Sequence, residues 1–321
     1  VKTATASEWM PRPICVIIPT FNRAQVLALC LEHLERQTYT DFEVLVVDDG
    51  STDDTAATLE RFVQNSSLRM RTLRQPNSGP AKGRNLAIQA ADSPLCILIG
   101  DDILVSPNFV EQHRLMHQGH SSESTVGLGL TRWDTVHQQV TPFMAWLENV
   151  QFSYHELEAG TQPDWRYLYT SNLSFKTKLF REWPFHEGFR FAAFEDMELG
   201  YRLARAGKLE VIYHPQAFAT HVHPTSFLDA CRRMEKVGYS EAQFLEAHPE
   251  AAALFTRGHP FKQLLYALLA KHPRVLEWLT RAANRLSGER RPTILVSGLL
   301  MAHHRRGLAL YEHSSEQATP V

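Results

Sequence analysis

The chain has 321 residues, enough for one large domain or two ordinary ones, and 44% hydrophobic against 21% charged residues make it globular, not disordered. With 33 Lys and Arg against 35 Asp and Glu, the formal charge is -2, so no broad basic field is offered and no nucleic-acid partner is expected. Four cysteines, Cys15, Cys30, Cys96 and Cys231, form no CxxC pair, which excludes a zinc ribbon or that redox motif and points to a reducing, cytoplasmic compartment.

The start, "VKTATASEWMPRPICVIIPTF", lacks a basic stretch followed by an adequate apolar core, so no signal peptide is expected. "ICVIIP" reads as a buried strand closed by Pro19. "RAQVLALCLEHLERQ" places Val26, Leu27, Cys30, Leu31 and Leu34 at helical spacing. "FEVLVVDD" is a second strand, and "DDTAATLERFVQ" a second helix with Ala56, Leu59, Phe62 and Val63 on one face. "LRMRTLRQP" is a weaker strand, "GPAKGRNLAIQAA" a helix from Gly79 and Pro80, and "PLCILIG" a fourth strand.

That alternation builds a parallel sheet with helices on its faces, and such sheets bind ligands outside the carboxyl ends of their strands. Two strands end there in paired acids, Asp48 with Asp49 and Asp101 with Asp102. Adjacent carboxylates repel, so a cation, a proton or solvent must settle each pair.

Farther on, "PNFVEQHRLMHQ" reads as a helix, "STVGLGLTRW" as a strand and "FMAWLENVQF" as a helix. A loop-rich stretch from His155 to Arg166 precedes "LYTSNLSFKTKLF". "FEDMELGYRLARAG" is an amphipathic helix stopped at Gly207, and "LEVIYHP" and "AFATHVHP" are strand-like. Beyond Pro224 the pattern is helical only, with fraying expected from about Ser314. No apolar run reaches the roughly 18 to 20 residues of a spanning helix. "PTILVSGLLMAHHRRGLAL" comes nearest, interrupted by His303, His304, Arg305 and Arg306, and is expected at most to lie on a membrane surface.

Five segments, "VIIPTFNRAQVL", "VLVVDDGSTDDT", "GPAKGRNLAI", "LIGDD" and "FEDMELGYRL", resemble in order and spacing the family 2 glycosyltransferases, from about Ile14 to His223. The resemblance implies α/β architecture of the GT-A type: a Rossmann-like, mostly parallel central sheet with flanking helices, here plus a C-terminal helical extension. The corresponding domains are 12–225 for the GT-A domain, with 12–102 its nucleotide-binding and 103–225 its acceptor half, then 226–313 for the helices and 314–321 for a disordered tail. It further implies inverting transfer from a nucleotide-diphosphate sugar, UDP-sugar favoured, to a saccharide or lipid-linked acceptor, with Mn²⁺ or Mg²⁺. The residues agree with this independently. A departing diphosphate develops negative charge that a hard cation neutralises, and oxygen ligands suit those two ions.

By resemblance Asp102 is the metal aspartate and Asp101 sits toward the ribose. Pro19, Thr20, Phe21 and Arg23 line the nucleotide pocket, and Asp49 accepts from the base, while Asp53 and Asp54 can cap the helix that follows. Lys82 and Arg84 are cations at a helix start, where the macrodipole disfavours them, so an anion is expected near Gly79, Lys82, Arg84 and Asn85. Lys82 departs from the small residue usual in the family and reads equally well as plain surface. Asp196 is the base that takes the acceptor proton, with Glu195 its neighbour at the acceptor; an N-terminal helix cap is the competing reading. His221 and His223 face one side if extended, and His223 is the one placed in the metal shell, ahead of His221. Asn172 and Trp183 are assigned to the acceptor, and Trp146, Trp165 and Tyr167 are further stacking candidates or ordinary core.

Two other classes compete. A sugar-nucleotide nucleotidyltransferase would place a glycine-rich basic loop after the first strand, which "PTFNRAQ" is not. A non-catalytic nucleotide-sugar-binding protein would have no use for Asp196. The expected location is cytoplasmic, with peripheral contact at the inner membrane face through the C-terminal helices.

Overall fold

In the computed structural model, residues 12–189, 191–255, 259–287 and 294–318 are described. The stretch 1–11, which bears on the signal-peptide expectation, and 319–321 of the expected tail lie outside them. Two compact units are present: one of residues up to 138, 152–187 and 196–223, the other of 139–151, 188–195 and 224 onward. The second unit thus draws in two stretches from within 103–225.

The first unit alternates as the sequence predicts: β1 (Ile14–Thr20), α1 (Ala24–Glu35), β2 (Phe42–Asp48), α2 (Thr55–Asn65), β3 (Met70–Arg74), α3 (Pro80–Ala90) and β4 (Leu95–Ile99). There follow β5 (Ile103–Val105), α4 (Phe109–Gly119), β6 (Thr125–Trp133), α5 (Pro142–Gln151), which belongs to the second unit, β7 (Asn172–Lys176), α6 (Thr177–Glu182), α7 (Glu195–Arg205) and β8 (Glu210–His221). The strands form one eight-stranded sheet in the order β3-β2-β1-β4-β7-β6-β8-β5. β1 pairs in parallel with both β2 and β4, so the order reverses direction at β1 and opens a crevice at the strands' carboxyl ends. β2–β3 and β6–β8 are also parallel, whereas β7 runs antiparallel to β4 and β6, and β5 antiparallel to β8.

β1 is apolar as far as Pro19 because both faces of the sheet are covered. Ile14, Val16 and Ile18 pack with Leu27, Leu31 and Phe109 on one side, and Cys15 and Ile17 with Ala87, Phe175 and Phe180 on the other. α1 buries Leu27, Cys30, Leu31 and Leu34, close to the predicted face. All four cysteines are buried thiols.

The two strand-like segments near 209–224 prove to be one strand, β8. Its register against β6 jumps from Gly129↔His214 to Leu130↔Phe218, leaving 215–217 as an extra loop of strand. Pro215, which has no N–H for the ladder, falls in that bulge. Asn172 holds it: its side-chain amide donates to the Ala217 carbonyl (2.9 Å) and to that of Leu130 (3.3 Å). Behind Asn172 runs a buried polar chain. His113 Nε2 meets Asn172 Oδ1 at 2.9 Å, His113 Nδ1 meets Ser174 Oγ at 2.8 Å, and Ser174 Oγ meets His117 Nε2 at 2.9 Å. One tautomer satisfies every contact: His117 Nε2–H donates to Ser174, Ser174 O–H to His113 Nδ1, and His113 Nε2–H to Asn172. Burial, foremost, drives both imidazole pKa values down to about 3, so both rings are neutral.

The second unit contains α5, α8 (Phe227–Ala247), α9 (Pro260–Lys271), α10 (Pro273–Ser287) and α11 (Ile294–Ala318). The chain stays helical through the start of the tail expected to fray, as far as Ala318. α8 opens with a reciprocal Ser226–Asp229 capping box and crosses α11 closely. A Cβ on Gly238 or Gly307 would lie 2.0 Å from the carbonyl oxygen of His304 or Glu235, so only glycine allows the approach. The "HHRR" of α11, expected to meet lipid, is spent inside this unit. His303 bonds Glu235 (2.7 Å) and Thr280 (3.0 Å), His304 bonds Glu241 (3.0 Å), Arg305 bonds Gln263 (3.1 Å) and Arg306 bonds Glu235 (3.1 Å). Among the described residues, no helix is long and apolar enough to cross a membrane.

Candidate active site

The acids at the tip of β4 are settled by cations and donors from three other segments. Asp101 and Asp102 are both buried. Thr20, the last residue of β1, donates its hydroxyl to Asp101 Oδ2 at 2.7 Å, and Arg23 Nη1 reaches Asp101 Oδ1 at 3.1 Å. The same guanidinium bonds Asp102 Oδ2, and its Nη2 lies 3.0 Å from His223 Nδ1. From the end of β8, His221 Nε2 stands 3.2 Å and His223 Nδ1 3.3 Å from Asp102 Oδ2.

These neighbours separate the two carboxyls. Burial, and then the charge on Asp102, push Asp101 up to about 6. Burial acts against Asp102 as well, but His221, His223 and Arg23 outweigh it and hold its pKa well below the usual range. Asp102 therefore carries the fixed negative charge.

Asp102, His221 and His223 each present a ligand atom, all within 4.8 Å of one another. One carboxylate oxygen and two imidazole nitrogens form a donor set that fits a divalent first-row ion. Both histidines offer a nitrogen to this cluster, whereas the sequence reading ranks His223 ahead. His221 is the more enclosed, with its ring stacked between Trp133 (5.2 Å, 17°) and His223 (5.2 Å, 28°). Its backbone is fixed too: its carbonyl accepts from Asp134 N–H (3.0 Å) and from the Gln138 side chain (2.7 Å). Asp134, in turn, accepts from Thr220 and from the Val136 and His137 backbone. Sequence reading missed Trp133, Asp134 and Gln138. No local pattern signals them: Trp133 ends β6 in register with His221 of β8, and Asp134 and Gln138 follow just beyond the strand.

The second acidic tip is joined to the first through Thr20, whose carbonyl accepts from Asp49 N–H at 2.9 Å. Asp49 Oδ1 accepts from Gln75 Nε2 (2.6 Å) and Ser78 N–H (2.9 Å), and Oδ2 from Gly79 N–H (2.9 Å). Gly79 has φ 89°, the left-handed region where glycine carries no penalty, and this turns its N–H toward the carboxylate. Asp48 closes its own turn by accepting from Ser51 N–H at 2.8 Å. The "PTFNR" and "DDGSTDD" loops are stitched together: Asn22 Oδ1 accepts from Thr52 N–H (2.7 Å), and Asp53 bonds Thr55 N–H of α2 (3.0 Å) and Ala24 N–H of α1 (3.3 Å). The capping expected of Asp53 is therefore present. Asp54 makes no side-chain cap bond. Pro19 is half-buried in β1, and the Phe21 ring is 43% exposed.

Other candidates serve different ends. Asn85 pins the 185–187 segment, donating to the Phe185 carbonyl and Glu187 (both 2.9 Å) and accepting from Phe185 N–H (2.9 Å). The Arg84 guanidinium lies over the Phe185 ring at 5.4 Å, and Lys82 is exposed on α3. Asn172 is fully buried and consumed by the β8 bulge, so it has no donor or acceptor left facing an acceptor sugar. Trp183 packs on the core, Trp165 against Tyr201 (5.3 Å), and Trp146 against Phe143 (5.9 Å). Tyr167 donates to Glu156 at 2.9 Å. Glu195 is buried at the head of α7, directly after Phe194, whose φ of 68° is strained for a bulky residue. Asp196, half-buried beside it, accepts from Met197 N–H at 2.8 Å. After burial, Tyr154 and Tyr167, its charge also raises the Tyr169 phenol.

The family model for glycosyl transferase family 2 matches residues 15–196. The chain is 30% identical over 210 residues to the glycosyltransferase GlyG of Streptococcus pneumoniae, covering 61% of this chain and 67% of that protein. It is also 30% identical over 220 residues to a validoxylamine A glucosyltransferase of Streptomyces hygroscopicus, covering 60% of this chain but only 52% of that one. Among solved structures it resembles Staphylococcus aureus TarS 1-349 in complex with UDP, with TM-score 0.53, 19% identity and coverage of 97% and 92%. It also resembles the Pyrobaculum calidifontis mannosyltransferase PcManGT in complex with GDP-Man and Mn²⁺, with TM-score 0.59, 17% identity and coverage of 92% and 87%. Strand order, acidic tips and family match agree: the chain belongs to glycosyl transferase family 2 and is a glycosyltransferase of the GT-A fold.

Proposed function

We propose that this glycosyltransferase moves a sugar from a nucleoside-diphosphate donor, UDP-sugar first, to a saccharide or lipid-linked acceptor, with inversion at the anomeric carbon. The observation that carries the proposal is the buried Asp102 with His221 and His223 gathered on its Oδ2. Those three side chains would hold Mn²⁺ or Mg²⁺, which when bound neutralises charge on the departing diphosphate. TarS has been solved with UDP and with UDP-GlcNAc, and PcManGT with GDP-Man and Mn²⁺, which supports a nucleotide-sugar donor without choosing its base.

In this reading the exposed Phe21 ring stacks on the base, and the remaining lone pair of Asp49 Oδ2 accepts a base N–H. Thr20 and Arg23 keep Asp101 in place toward the ribose, and Gly79, Lys82 and Arg84 lie on the diphosphate side. The acceptor hydroxyl oxygen attacks the anomeric carbon as the bond to the diphosphate oxygen breaks. Its proton passes to the Asp196 carboxylate, beside Glu195.

The test is donor turnover with Mn²⁺ in the parent chain and in Asp196→Asn. Loss of a positioned base costs about 10²- to 10⁴-fold in kcat with UDP affinity retained. Equal turnover in the two proteins removes Asp196 from that role.

A further inference from the structure

Helices α9 and α10 turn apolar side chains outward. α9 buries none of its side chains. Its Phe261 stands three and four residues before Leu264 and Leu265, and Leu268 four and three after them, hence along one face, and all four are exposed, Phe261 to 70%. α10 buries Leu276, Thr280 and Ala283 but leaves Val275 exposed and Trp278 68% exposed. Positive charge predominates on the two helices, and their one acid, Glu277, lies 3.9 Å from Arg281. Lys262, Lys271, Arg274, Arg281 and Arg285 are all exposed, and Glu277 is the only acid between 260 and 287. Lys271 continues the Leu264–Leu268 stripe, and Arg274, Arg281 and Arg285 share a stripe with Trp278.

Charge selects the occupant. A second copy of the same face would bring five cations and a single acid against the same set, whereas an anionic lipid surface complements both the apolar side chains and the excess of cations. An indole among arginines also suits the boundary between headgroups and acyl chains. We propose that α9 and α10 dock the protein on an anionic bilayer, with Phe261, Leu264, Leu265, Leu268 and Trp278 entering the headgroup–acyl boundary and the five cations meeting lipid phosphates. The contact is peripheral, and it stands apart from sugar transfer, since it draws only on the helical unit.

The test is co-sedimentation of the full chain with vesicles of phosphatidylcholine alone, or of phosphatidylcholine and phosphatidylglycerol in equal parts. The parent binds the anionic vesicles, less so as salt rises, and leaves the neutral ones. Lys271→Gln/Arg274→Gln binds about thirtyfold more weakly, and Leu264→Glu/Leu268→Glu about a hundredfold more weakly. All four positions are exposed, so circular dichroism and UDP binding stay at parent values. Absence of the parent from the anionic pellet, or variants that pellet like the parent, would overturn the proposal. So would a parent dimer in analytical ultracentrifugation that Leu264→Glu/Leu268→Glu renders monomeric, which would give the face to a second copy.

Discussion

Acidification strikes the buried chain of His113, Ser174, Asn172 and His117. Both imidazoles sit at about 3 in the folded protein against about 6.5 in an unfolded chain. Between those values the unfolded state binds more protons, so stability is full above about pH 6.5 and falls as pH drops toward 3. At pH 5 each histidine favours unfolding by about 2 kcal/mol, and the pair by about 4 kcal/mol, a large part of a typical domain's stability. Carboxylates titrate in the same interval, so the assay needs an internal control. His117→Gln retains an N–H donor for Ser174 but has no proton to gain. Urea unfolding followed by tryptophan fluorescence at pH 7 and pH 5 should show the variant losing about 2 kcal/mol less than the parent over that interval. Equal losses in the two proteins would refute the neutral, buried assignment of His117.

Two further outcomes follow from the packing. Trp133→Leu removes the surface on which His221 stacks while leaving the side chains of Asp102, His221 and His223 in place, so Mn²⁺ affinity, read by titration calorimetry, should fall about tenfold. An unchanged affinity would mean that the backbone bonds to the His221 carbonyl alone suffice to orient the ring. Asn172→Leu leaves His113 Nε2–H and the Ala217 carbonyl buried without a partner, and should cost about 2 to 4 kcal/mol in urea unfolding. A cost under about 1 kcal/mol would show that the bulge holds itself.

What the sequence disclosed was local. Four strands, three helices and both acidic tips of the first 102 residues were legible because β1, β2 and β4 are apolar runs and α1 and α2 each bury one stripe, with β3 the weaker strand between them. What it withheld was pairing. Nothing in "NLSFK" states that β7 inserts antiparallel between β4 and β6, and "ILV" after the acids is too short to announce β5. The spacing of His221 and His223 suggested a shared side, but only the register of β8 against β6 puts Trp133 under His221. Asn172 misled because a polar residue near a strand start looks available, whereas the β8 bulge had a backbone carbonyl to satisfy. The "HHRR" of α11 misled in the same way. The acidic partners of His303, His304 and Arg306 lie on α8, about 60 to 70 residues earlier, and Arg305 meets Gln263 of α9, all beyond the reach of any local pattern.

The central claim is that Asp102, with His221 and His223, couples a divalent ion to donor binding. Titration of UDP into the protein by calorimetry, with and without Mn²⁺, tests it directly when repeated with Asp102→Ala. The parent should bind UDP far more tightly with Mn²⁺ than without, and the variant should show no difference between the two conditions. A parent whose UDP affinity is the same with and without Mn²⁺ would contradict the account, as would a variant that keeps the full metal enhancement.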